Sequence, residues 1–75
     1  MTPKDKKIIE DSEAKGIPIF VLTAKDFVSV SIIDRYRDLC KAEECDQAHI
    51  TEIGTRIDDF RQWQKANPDK VKLPD

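Results

Sequence analysis

A strand-like apolar run stands at residues 17–22 (IPIFVL), ahead of two segments with helical periodicity. Alternate residues of a strand point to opposite faces, and both faces of this run are apolar. A single strand cannot satisfy its own backbone hydrogen bonds, and no second convincing strand exists in the sequence. We therefore expect this segment to pair antiparallel with the same segment of a second copy, through Ile17, Ile19, Phe20, Val21 and Leu22.

The apolar positions of residues 29–44 recur at helical spacing and predict an amphipathic helix. Its start has two alternatives, since Asp26 and Ser29 offer turn and capping oxygens and Ser31 with Asp34 forms a second capping pair. The apolar stripe of this helix consists of Ile32, Ile33, Tyr36, Leu39 and Cys40.

A second helix is predicted at about residues 47–67, with a cap at Asp46 and a stop at Asn67-Pro68. Its apolar positions are three, four and three residues apart, which is heptad-like spacing. This stripe consists of Ile50, Ile53, Ile57 and Phe60, with Trp63 at its margin.

Two further features of the second helix concern its surface. Glu52 and Arg56 are spaced for an ion pair one helical turn apart. Gly54 lies beside the apolar stripe, and close backbone packing would explain a glycine at a position where it weakens the helix.

A very short connection between the two helices predicts an antiparallel hairpin. Ahead of it, Thr2, Pro3 and Asp5 form a helix-start signal and Gly16 a stop, but the helix between them would fray unless a partner supports its few apolar residues.

The predicted fold is mostly α: a helical hairpin preceded by a single β-strand that pairs across a dimer, with a short N-terminal helix. Three regions follow from this reading. Residues 1–16 form an N-terminal helical arm, residues 17–67 the strand and the two helices, and residues 68–75 a flexible tail.

The size and charge of the chain limit the functions that it can have. A single copy of 75 residues buries only about 60% of its unfolded surface and is marginally stable, which favours oligomerisation. The net charge of −2, with acidic and basic residues interspersed, argues against direct nucleic-acid binding. No apolar run is long enough to span a bilayer and no signal-peptide core follows the first residues, so we expect a cytoplasmic protein with no membrane partner.

Cys40, Cys45 and His49 are the residues that a metal site would use. Their spacing does not match known zinc patterns, and a fourth ligand would have to come from elsewhere. On one helix, a spacing of five places the two cysteines on different faces, which disfavours a disulfide. The preferred interpretation is that Cys40 fills the core and that Cys45 and His49 occupy a helix junction.

Catalytic constellations are not evident in the sequence. The acidic residues around Cys45 would raise the pKa of its thiol, and adjacent carboxylates such as Asp58 and Asp59 diverge by about 100° on a helix. The two glycines stand alone, so no phosphate-binding loop is formed. We therefore expect a non-enzymatic protein without a cofactor.

Aromatic side chains are the best candidates for partner binding, because Trp and Tyr are enriched at interface hot spots. Core or dimer packing is the preferred role of Phe20, Tyr36 and Phe60. Trp63, at the edge of its stripe, is the leading candidate for contact with another protein, and Phe60 is the second candidate.

The order of short motifs resembles that of short uncharacterised bacterial and prophage proteins. Residues 20–22 read Phe-Val-Leu, Asp26 follows four residues after Leu22, and a terminal helix closes at residues 60–63 (FRQW). The resemblance spans about residues 18–63, and the charged segment 1–15 departs from it. It implies a mobile-element origin in bacteria or phage, and neither an activity nor a catalytic residue.

These observations together favour a small homodimeric interaction module or regulator, with no enzymatic activity, that binds itself and a further protein. The alternative is a metal- or nucleic-acid-linked regulator that uses Cys40, Cys45 and His49 or its surface Arg and Lys residues.

Overall fold

Three α-helices dominate the computed structural model, which describes residues 2–74. Helix α1 spans Pro3–Lys15, α2 spans Ser29–Ala42 and α3 spans Gln47–Ala66, and a short 3-10 turn follows at Pro68–Lys70. The predicted mostly helical fold is confirmed. Helices α2 and α3 begin at the predicted residues and end within two residues of the predicted ends.

Helix α1 is capped at both ends as predicted. The hydroxyl of Thr2 accepts a hydrogen bond from the Asp5 N–H at 3.1 Å, and the Asp5 carboxylate accepts one from the Thr2 N–H at 3.4 Å. Gly16 ends the helix with a φ of 66°, a left-handed conformation that glycine adopts without a Cβ penalty. Local signals therefore suffice to define this helix.

Helices α2 and α3 form the predicted antiparallel hairpin. The chain turns between them at residues 43–46, where Glu44 takes a left-handed φ of 56°. Asp46 caps α3 by accepting a hydrogen bond from the Ala48 N–H at 3.3 Å. The direction of packing follows from contacts at the two ends of the hairpin, which are Tyr36 with His49 near the turn and Ser29 with Gln64 far from it.

The start of α2 differs from the sequence prediction in its chemistry. Val28 occupies the N-cap position, and the Asp26 carboxylate accepts a hydrogen bond from its N–H at 2.9 Å. Ser29 is completely buried, and its hydroxyl donates to the Asp26 carbonyl at 2.7 Å. The Gln64 side chain donates to the carbonyl of Ala24 at 3.1 Å, so α3 holds the loop that precedes α2.

The core of the hairpin is small. Its buried apolar side chains are Cys40, Ile50, Ile53 and Ile57, and the half-buried residues packed against them are Val30, Ile33 and Cys45. Each fully buried aliphatic side chain contributes about 1.5–3 kcal/mol, and Ile57 alone is completely shielded from solvent. Of the predicted stripes, Ile53 and Ile57 face the core, whereas Ile32 and Leu39 of α2 are exposed in a single copy.

The predicted β-strand at residues 17–22 does not form in a single copy of the chain. No strand is present within residues 2–74, and no backbone hydrogen bond joins residues 18–22 to another described segment. The physical reason is that the rest of the described chain contains no strand with which this run could form backbone hydrogen bonds. The segment runs as an extended connection from α1 to α2.

The residues after α3 return to the start of α2. A parallel bridge joins Asp26 and Lys72, with hydrogen bonds from the Phe27 N–H to the Lys72 carbonyl at 2.9 Å and from the Lys72 N–H to the Lys25 carbonyl at 3.0 Å. These contacts fall in the segment predicted as a flexible tail, and nothing in its sequence indicates them.

Helix α1 stands apart from the hairpin. Among the described residues, none of its Cα atoms lies within 8 Å of one in α2 or α3. Its direct link is an ion pair between Lys4 Nζ and Glu52 Oε2 at 3.0 Å. The prediction of a Glu52–Arg56 ion pair is therefore wrong. The Glu52 carboxylate pairs with Lys4, and the Arg56 guanidinium pairs with the Asp59 carboxylate at 3.0 Å.

Close backbone packing does not explain Gly54. A Cβ placed there would have as its nearest neighbour the Nη1 atom of the Arg37 side chain, 3.6 Å away, which is an ordinary van der Waals distance. The explanation offered from the sequence is thus wrong, and the position accepts a small side chain.

We expect Gly54→Ala to raise the free energy of unfolding by about 0.5–1 kcal/mol, because alanine is the better helix former and no clash opposes it. Chemical denaturation measures the change. Gly16→Ala is the matched control, and it should destabilise the protein, because its φ of 66° disfavours any Cβ. A loss of stability in Gly54→Ala would show that Arg37 cannot accommodate the added methyl group.

The pKa of Glu52 lies below its ordinary value, first because of the hydrogen bond from Lys4 and then because of the charge on that ammonium group. A carboxylate with a lowered pKa in the folded state stabilises the fold above its ordinary pKa. That contribution is lost as the pH falls through the lowered value. We expect NMR titration of the Glu52 carboxyl group to give a lowered midpoint, and Lys4→Met to raise it. Lys7→Met is the control, and an unchanged midpoint in Lys4→Met would exclude this ion pair in solution.

Candidate interaction surface

The extended segment 17–22 presents most of its apolar side chains to solvent. Phe20 exposes 83% of its surface and Val21 67%, while Ile17 and Ile19 each expose about half. Leu22 is half-buried. The five residues predicted to form the dimer interface therefore lie together on one exposed segment, with little of the chain covering them.

A groove of about 660 Å³ opens between this segment, α1 and the hairpin. The groove brings together side chains from every helix, although they are far apart in the sequence. Its apolar lining consists of Ile8, Phe20, Leu22, Ile33, Ile53 and Phe60. The groove thus extends the apolar surface of the segment inward to the edge of the core.

Polar side chains form the rim of the groove. The Lys4–Glu52 ion pair lies on one side, and on another the Tyr36 hydroxyl is 3.2 Å from Nε2 of His49, with the two rings edge to face. An apolar floor with a polar rim is the general composition of a protein-binding surface.

The two cysteines meet at the C-terminal end of α2. Because Glu44 is left-handed, the Cys45 N–H reaches back to the Cys40 carbonyl at 2.9 Å. This hydrogen bond closes a Schellman motif, in which the residue after the turn packs against the last turn of the helix. The condition that both cysteines lie on one helix is not met, because α2 ends at Ala42. Cys40 lies in the core and Cys45 at the helix junction, as the preferred interpretation predicted, and both thiols are free.

The chemistry at this junction disfavours thiolate formation. The pKa of Cys45 is raised, chiefly by the hydrogen bond with the Cys40 thiol and then by partial desolvation. The pKa of Tyr36 is also raised, and its hydrogen bond with the Cys40 thiol is again the largest cause. A thiol that stays protonated is a poor nucleophile and a poor metal ligand.

The structure does not bring Cys40, Cys45 and His49 together as a metal site. Cys40 belongs to the core, Cys45 is half-buried, and His49 is exposed beside Tyr36. Across residues 2–74, no group of three or more His, Cys, Asp or Glu side chains is arranged to hold a metal ion.

Phe60 and Trp63, the predicted partner-binding residues, have different surroundings. Phe60 lines the groove, whereas Trp63 is half-buried and lies outside its lining. The Trp63 carbonyl accepts a hydrogen bond from the Asn67 side chain at 2.9 Å, which closes the end of α3.

A second apolar surface lies on α2 and includes part of the apolar stripe predicted from the sequence. Its residues are Val28, Ile32, Tyr36 and Leu39, which we call the outer face of α2. Ile32, Tyr36 and Leu39 each expose about half of their surface, and a shallow groove of about 400 Å³ runs along them. The signal was present in the breadth of the apolar arc, which exceeds what one neighbouring helix can cover.

The exposed area of the chain is large for its mass. A compact protein of 8.6 kDa exposes about 4,700 Å², whereas this chain exposes 6083 Å². Its radius of gyration of 13.7 Å also exceeds the value of about 11 Å expected for 75 residues. One copy therefore leaves about 1,400 Å² more surface in water than a compact fold of this size.

None of the helices that the structure describes is both long and apolar enough to cross a membrane. Comparison with known proteins found no matching protein family, no similar curated protein and no similar solved structure. The functional interpretation therefore rests on the surface described above.

Proposed function

We propose that this chain is a small, non-enzymatic interaction module whose working form is a homodimer joined through residues 17–22. The observation that carries the proposal is the surplus of about 1,400 Å² of exposed surface, because a standard interface buries about 800 Å² per partner. An area of that size on one small chain is typical of a subunit that works in association.

The backbone of the segment supports pairing with a second copy. Residues 18–22 make no backbone hydrogen bond to another described segment, so the N–H groups of residues 19–22 and the C=O groups of residues 18–22 are free to pair. An exposed row of such groups is a template for a further strand. Pairing about a two-fold axis is antiparallel, which allows the same residues of both copies to satisfy each other.

The composition of the segment supports the same conclusion. No charged residue occurs between Lys15 and Lys25, a span of nine residues. Proteins protect exposed strand edges from pairing with charged side chains, bulges or covering elements. Pro18 is the only feature of this kind in the run, and it lies at one end, so it leaves the central residues available.

The chemistry around the groove supports a binding role over a catalytic one. Neither cysteine lines the groove, and Glu52 and Arg56, which do, are each engaged in an ion pair. The apolar lining of the groove suits the burial of side chains from a partner.

We expect Val21→Pro to weaken dimerisation by about tenfold or more, because proline lacks the N–H that pairing requires but fits an extended chain. Sedimentation equilibrium measures the effect at protein concentrations of roughly 1 to 100 µM, which bracket the dissociation constants of weak specific interfaces. Leu73→Ala is the matched control, since Leu73 has similar exposure, 66% against 67%, but lies outside the segment.

Hydrogen exchange tests the pairing of residues 17–22 independently of sedimentation. Pairing predicts that amide protection of alternate residues within 19–22 rises with protein concentration, because every second N–H of an antiparallel strand bonds to the partner and then exchanges slowly. A chain that remains a monomer at the highest concentration, or a dimer in which these amides exchange freely, would contradict the proposal.

A further inference from the structure

The outer face of α2 is an apolar stripe in which only Tyr36 has a neighbour on another helix, namely His49 of α3, while Ile32 and Leu39 remain about half exposed. Its four residues are spaced four, four and three apart, which keeps them on one side of the helix. The side of α2 toward α3 is already occupied, since Ser29 and Cys40 are buried there. Helix α2 is thus apolar on two sides, and α3 covers only one of them.

We propose that the outer face of α2 pairs antiparallel with the outer face of α2 in a second copy of this chain. The inference rests on the proposed function in taking the partner to be a second copy. It assigns a surface separate from residues 17–22, and it can hold when that segment does not pair.

The exposed area favours a second self-association surface. Residues 17–22 form a single short segment, and covering it leaves Ile32, Tyr36 and Leu39 in water. The surplus of about 1,400 Å² exceeds the roughly 800 Å² per partner that one standard interface buries. After one standard interface about 600 Å² of the surplus remains, which allows a second contact smaller than the standard size.

The apolar side chains of α2 complement themselves under two-fold symmetry. With the axis between residues 35 and 36, Ile32 of one copy faces Leu39 of the other, and the contact occurs twice. The two Tyr36 rings then lie near the axis. Ile32, Leu39 and Tyr36 thus meet apolar partners across the axis, whereas Val28 lies opposite residue 43, just beyond the end of α2.

The charges beside the stripe also complement themselves. Arg35 and Asp38 are exposed on the same flank of α2, and neither takes part in the ion pairs formed among the described residues. The two-fold axis keeps this flank on the same side in both copies. It brings Arg35 of one copy within about 3 Å, measured along the helix, of Asp38 of the other. Two reciprocal ion pairs would then fix the register of the helices.

The first experiment removes the apolar contact. Leu39→Lys should weaken self-association at least tenfold in sedimentation equilibrium, because it places a charge in the stripe. Lys41→Ala, on the opposite side of α2, is the control and should leave association unchanged. Circular dichroism checks that each variant remains helical, which we expect because Leu39 and Lys41 lie outside the core.

The second experiment exchanges the charges. Arg35→Asp and Asp38→Arg should each weaken association severalfold, and the double variant should restore it, because each new pair again has opposite signs. Because Arg35 and Asp38 are three residues apart on one helix, a charge exchange also affects pairing within a copy. Circular dichroism must therefore show equal helicity in the single and double variants, and the rescue then reports contact between copies. If the single variants have no effect, or if the double variant remains as weak as the singles, the proposed pairing is wrong.

Comparison with Val21→Pro separates the two proposals. If Leu39→Lys weakens association and Val21→Pro does not, the α2 pairing stands and the pairing of residues 17–22 fails. The reverse result overturns the α2 pairing and leaves the other intact. If both variants weaken association and only the combined variant is fully monomeric, both surfaces operate. A wild-type chain that is monomeric at 100 µM, roughly the weak end of specific association, overturns both.

Discussion

Packing of α2 against α3 is the constraint on which the rest of the structure depends. Four buried apolar side chains and the buried Ser29 lie between the two helices, and Ile57 is fully enclosed. Most helical stability in proteins comes from packing of an amphipathic face, so the order of both helices depends on this shared face. Everything else in the molecule is attached to the hairpin by a few polar contacts. The result is a small stable unit that carries a large amount of uncovered surface.

This arrangement explains why the apolar residues of α3 are buried while many of those in α2 and in segment 17–22 are exposed. A hairpin of two helices has one interface, and α3 directs its isoleucines into it. Helix α2 has a wider apolar arc, so part of that arc faces water. The segment 17–22 cannot join the core, because the hairpin offers no strand edge. The same geometry that completes the helical core therefore leaves two apolar surfaces open.

Local sequence signals predicted the helices well. The caps at Thr2, Gly16 and Asp46 depend on side-chain and backbone chemistry within a few residues, and each was found where it was expected. The strand was not found, because a strand depends on a partner that the sequence of one copy does not contain.

Contacts between distant segments were beyond the reach of the sequence pattern. Glu52 could pair with Arg56, four residues away in the sequence, or with Lys4, which comes close only when the chain folds. The ion pair forms with Lys4. The bonds of Gln64 to the loop before α2 span about 40 residues and have no periodic signature. The groove is lined by residues of three helices, so predicting it required the position of α1 relative to the hairpin. The outer face of α2 was visible as apolar positions, but the sequence did not show which of them α3 would cover.

The hydrogen bond from Gln64 has a consequence for how the apolar segment moves. It fastens the residues just after the segment to α3, whereas the residues just before it belong to α1, whose direct tie to the hairpin is one solvent-exposed ion pair. Dissolved ions weaken such a pair but hardly affect a half-buried amide contact. The downstream end of the segment is thus held more firmly than its upstream end, and raising the ionic strength weakens the attachment of α1 to the hairpin.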